Sequence, residues 1–146
     1  MWSKWPSFSQ KICTLMKLKD PNDVDIFISL GKLFTPSVVR LENGKRWKPN
    51  TQEVCDGFLL HIKVNNDLVP SIERMISKAQ LMKYKVQPFI AAVGLTSADC
   101  QDFYVVIDKN YYHFHDCRTA VDACFKAIHA LHANYPPQSE AIWYFL

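Results

Sequence analysis

Four histidines and two cysteines fall between residues 113 and 132: His113, His115, Cys117, Cys124, His129 and His132. His113 and His115 alternate along an expected strand and so share a face, while His129 and His132 stand three apart on an expected helix. Imidazole and thiolate are the ligands of structural zinc, which draws them in close pairs such as Cys-x-x-Cys. No such pair occurs here. Cys124 falls on the inward stripe of its helix, and His129 lies with Asp122 and Lys126 on the outward one, so the six groups do not converge. The reading is surface histidines and core cysteines, with no metal and no cofactor expected.

Carboxylates offer a second chemistry. Asp108 ends an apolar strand, the position from which metal-dependent nucleases present a carboxylate, and Asp102, Asp116 and Asp122 lie nearby in sequence. Phosphodiester cleavage needs several carboxylates converging on two metals. Here plainer roles suffice, with Asp108 as turn former, Asp116 as helix cap and Asp122 as a solvent-facing helix residue. Cys117 opens a helix beside His113 and His115, and a helix N-terminus lowers a thiol's pKa. One activating feature does not make a nucleophile with its base. Gly31, Gly44, Gly57 and Gly94 are too far apart to cradle a phosphate. No catalytic residue is assigned, and the chain reads as a non-enzyme.

Lys45, Arg46, Trp47 and Lys48 interleave cations with a ring, and Trp2, Lys4 and Trp5 repeat the pattern, as single-strand nucleic-acid surfaces do. The plainer reading is an exposed hairpin whose lysines keep its edge from aggregating. Four basic residues supply few phosphate contacts, so nucleic-acid binding through residues 45–48 is the alternative reading.

The chain has 146 residues, 49% hydrophobic and 21% charged, enough apolar sequence for one core. Its longest apolar run, Phe89 to Leu95, is far short of the roughly 20 residues of a membrane span. Lys4, Lys11, Lys17 and Lys19 interrupt any apolar signal-peptide core. The 5 cysteines are odd in number, which together with their spacing argues for reduced thiols in cytoplasm or nucleus. Charge is uneven: residues 1–48 hold 9 basic and 4 acidic groups, a net +5, whereas residues 49–146 are net −2. That asymmetry admits an acidic partner near the front but falls short of a nucleic-acid-binding face.

These groups must be carried by elements that the periodicity predicts. A short helix spans residues 8–18, with Phe8, Ile12, Leu15 and Met16 inward; a second runs from Pro21 to Leu33, capped by Asp20. Asn43-Gly44 predicts a type I′ hairpin within Ser37–Lys48. Then follow a strand Phe58–Val64, a helix Leu68–Tyr84, an apolar strand Val86–Val93, strands Asp102–Asp108 and Tyr111–His115 about a Lys109-Asn110 turn, a helix Cys117–Tyr135 and a last short helix through Trp143. Strand, helix and apolar strand form a crossover unit, so its two strands should be parallel. The expected fold is α+β and two-layer: one mixed sheet with a βαβββα core and helices mainly on one face, preceded by a helical and β-hairpin front. Residues 1–52 form the front and 53–146 the α+β module. The closing string Ile142-Trp-Tyr-Phe-Leu146 is apolar enough that it either packs back onto the sheet or is followed by more chain in relatives.

Gln87-Pro-Phe-Ile90 with Val93-Gly94, Tyr104-Val-Val-Ile-Asp108, Ala120-Val-Asp-Ala-Cys-Phe-Lys126, Tyr135-Pro136 and Trp143 give residues 53–146 a further character. The stretch resembles the C-terminal module of a group of uncharacterised, often transposon-associated metazoan proteins, some with a sterile alpha motif or a zinc finger upstream. The resemblance implies an interaction module closing a longer protein, of which this chain is a short or truncated member. It carries no activity across. The expectation is a non-catalytic module engaging protein partners or itself.

Overall fold

The computed structural model describes residues 2–146. Its front consists of α1 (Trp5–Met16), α2 (Asp23–Leu33) and a hairpin of β1 (Val39–Arg40) and β2 (Arg46–Trp47). There follow α3 (Thr51–Phe58), β3 (Leu59–Ile62), α4 (Leu68–Met82), β4 (Phe89–Val93), β5 (Asp102–Ile107), β6 (Asn110–Phe114), α5 (Cys117–Ala130) and α6 (Glu140–Phe145). Strands β3, β4, β5 and β6 lie side by side in that order; β3 and β4 are parallel and the other pairs antiparallel. The fold is α+β, as the periodicity predicts.

Sheet alternation distributes the core. On one face Leu59, Ile90, Ala92, Phe103 and Val105 meet apolar residues of α1, α2, α3, α5 and α6. On the other, Ile62, Phe89, Ala91, Val93 and Val106 meet Leu68 and Ile72 of α4. Helices thus lie mainly on one face, and α4 adds a partial third layer on the opposite side. β4 is buried at all five positions because helices cover both its faces, which is why Phe89–Val93 contains no polar side chain.

The front shares this core. Trp5, Ile12, Val24, Phe27 and Leu30 belong to one apolar cluster with Ile90, Val121 and Trp143. Trp5 Nε1 donates to Asp23 Oδ1 at 3.1 Å, and Arg118 of α5 forms an ion pair with Asp23 Oδ2 at 3.1 Å while lying over the Trp5 ring. Of the closing apolar string, Ile142 and Trp143 pack back into the core, whereas Tyr144 is exposed. Trp143 is 1% exposed, between Phe58 and Tyr135, and Phe145 touches Phe8 and Phe34.

Several local expectations change. The cap of α2 is Asn22, in a reciprocal box with Asp25; Asp20 instead takes a left-handed turn conformation, φ 42°. Helix α1 begins at Trp5 with Pro6 in its first turn, and Leu15 faces solvent. The β1–β2 turn is not type I′. Gly44 N donates to Leu41 O and Leu41 N to Lys45 O, with only Gly44 at positive φ, so the loop has three residues and a glycine bulge. Residues 51–58 form a helix that the sequence pattern does not predict, and Phe58, expected to open a strand, is its last residue; Asn50 Oδ1 accepts from Glu53 N to cap it. Helix α5 stops at Ala130, short of Tyr135, and Leu131 is exposed. The β5–β6 loop is Asp108-Lys109, one residue earlier than expected, with Asp108 at φ 55°.

Candidate functional site

Because α4 covers β3 and β4 more than β5 and β6, the outer half of its sheet face stays open. Asp102 and Tyr104 of β5 and His113 of β6 line it, and His115 follows one residue beyond the strand. Register brings them together: Phe103 pairs with Phe114 and Tyr104 with His113, so Asp102 and His115 stand opposite one step further along. Asp102 Oδ1 lies 2.7 Å from His113 Nε2. Tyr104 stacks on the His113 ring at 5.0 Å and 27°, and His115 meets that ring edge-on at 4.5 Å. One ligand atom from each of Asp102, His113 and His115 lies within 4.8 Å of the others. Sequence reasoning finds the two histidines on one face but misses Asp102 as their partner.

The other candidates go elsewhere. His129 contacts the Tyr135 hydroxyl at 3.0 Å and packs on Phe125, and His132 occupies the left-handed residue after α5. Among the remaining acids, Asp108 shapes the β5–β6 turn, Asp116 Oδ2 accepts from both Thr119 N and Thr119 Oγ1 to cap α5, and Asp122 pairs with Lys126 at 2.6 Å. These carboxylates serve separate local ends. Cys117 reverses its expectation: burial, reinforced by Asp23, Asp116 and Cys100, pushes its thiol strongly up despite its place at a helix start. Burial alone raises Cys124. All five cysteines are unbonded.

The basic hairpin is pinned to the body. Trp47 stacks on Tyr84 at 5.2 Å and 18°, with Lys78 Nζ 5.6 Å from its ring centroid. Lys45, Arg46 and Lys48 flank it, all three exposed. Below the tryptophan a cleft of about 410 Å³ is lined by Glu53, Asp56, Arg74, Lys78 and Tyr84 among others. Lys78 pairs with Glu53 at 3.2 Å, Gln52 donates to Asp56 at 2.7 Å, and burial raises the Asp56 carboxyl. The Trp47 face turned to Tyr84 is therefore occupied by packing.

No protein-family model matches the chain, and no match is found among curated proteins or solved structures. No described helix is long and apolar enough to cross a membrane.

Proposed function

We propose that this chain is a non-catalytic interaction module of the cytoplasm or nucleus that associates with a second copy of itself through the free edge of β6. The observation that carries the reading is the strand order: β6 ends the sheet, so one side of Asn110–Phe114 presents backbone donors and acceptors with no strand partner. Edge strands are normally blunted by lysine, proline or a bulge. Asn110-Tyr-Tyr-His-Phe114 contains neither lysine nor proline, and Tyr112 is 51% exposed.

A copy of the same strand is the favoured occupant, because an antiparallel strand paired with itself is automatically two-fold symmetric.

Light scattering across a concentration series tests this. The expected result is a dimer that Tyr112→Lys converts to monomer without loss of secondary structure. A wild-type monomer throughout the series, or a dimer indifferent to Tyr112→Lys, refutes pairing through β6.

A further inference from the structure

We infer that Asp102, His113 and His115 bind one divalent transition-metal ion, with zinc the expected occupant. The inference stands apart from strand pairing, since these side chains project from the sheet face and not along its edge.

Two imidazoles and one carboxylate form a familiar three-ligand set for zinc and for non-haem iron, leaving further positions to water or a ligand. With bonds of about 2.0–2.1 Å, ligand atoms around a tetrahedral zinc stand about 3.3 Å apart. The three donors already fall within 4.8 Å of one another, and Asp102 Oδ1 and His113 Nε2 are at 2.7 Å. Closing that set calls for rotation of the three side chains, of which His113 and His115 are exposed. A metal ion would replace the hydrogen that now links Asp102 to His113, and it would add His115, whose ring only touches its neighbour.

The supports are rigid. Asp102 and His113 belong to one antiparallel pair, and Asp116, the residue after His115, is fixed as the cap of α5. Tyr104, stacked on His113, restricts the orientation of that ring. The set contains no thiolate: the sulfur of Cys117 is buried and that of Cys100 accompanies the Thr96 carbonyl. Nitrogen and oxygen donors favour zinc, nickel or copper(II) over copper(I) or iron–sulfur clusters.

The test uses the reduced full chain, titrated with Zn²⁺ by calorimetry and with Co²⁺ by absorption. One equivalent is expected, with cobalt bands free of thiolate charge transfer. His113→Ala and His115→Ala should each weaken binding more than about tenfold, since even residues that only orient a metal ligand are worth about 10–100-fold. Asp102→Asn, which keeps an acceptor for His113 but removes the anionic donor, should also weaken it. His129→Ala with His132→Ala should leave it unchanged. Melting in chelator confirms that the exposed-site variants remain folded. No binding at millimolar metal, a thiolate signature, or affinity undiminished by both His113→Ala and His115→Ala overturns the assignment.

Discussion

Cys117 occupies the first turn of α5, where amide dipoles favour a thiolate, yet its sulfur is sealed among apolar side chains with Asp23 and Asp116 close by. Desolvation and like charge win over the helix end. Cys100 obeys the same balance more mildly: burial, with Asp99 and Asp25, pushes its thiol up to about 11 from an ordinary 9.0. A thiol that holds its proton more tightly when folded stabilises the fold fully below its unfolded pKa and ceases to do so as pH rises through its folded value. The urea midpoint should therefore fall between about pH 9 and pH 11, and Cys100→Ser should remove part of that fall. A midpoint with the same alkaline slope in wild type and variant contradicts this account. The sequence alone exposes helix position but not the depth of burial, which is why Cys117 reads there as activated. Asp102 escapes the sequence reading through one residue of register. A turn at Lys109-Asn110 would place His115 opposite Tyr104; the observed Asp108-Lys109 turn places it opposite Asp102 and so creates the cluster.

At the scale of elements, helix ends account for most departures from the sequence reading. Helices α1, α4 and α5 each end with a left-handed residue and a backbone bond reaching five residues back: Leu18 N to Cys13 O, Tyr84 N to Ala79 O and Ala133 N to Ile128 O. The left-handed positions hold Lys17, Lys83 and His132, φ 51° to 58°, where glycine is the usual occupant. Without a glycine to mark the stop, periodicity carries α5 on to Tyr135. Lys83→Gly should relieve left-handed strain of about 1–2 kcal/mol, less the added freedom of glycine in the unfolded chain, for a net gain of about 0.5–1 kcal/mol. Chemical denaturation measures it; a loss of stability would mean that Lys83 contributes more than its backbone shape. Helix α3 shows the converse. Its start is written in Asn50-x-x-Glu53, since Asn50 Nδ2 donates to Glu53 Oε1 and Asn50 Oδ1 accepts from Glu53 N, but eight residues are too few for a stable period to show.

Over the whole molecule, the α+β class is legible because Leu68–Met82 and Cys117–Ala130 carry long helical stripes and Phe89–Val93 is uniformly apolar. How the front joins is not, because Trp5, Phe27, Phe58 and Trp143 meet from distant positions and leave no local pattern. The union of front and rear in one cluster has an energetic corollary. Removing Trp143 should cost about 3–5 kcal/mol and lower a single melting transition, rather than release the front alone. Two resolved transitions in Trp143→Ala would show instead that the front melts independently. β4, bonded to a strand on each side and roofed above and below, offers a gauge for such comparisons. Its interior amides should surrender their hydrogens to deuterated solvent only when the entire chain opens, so their exchange at Ile90 to Ala92 would clock global unfolding.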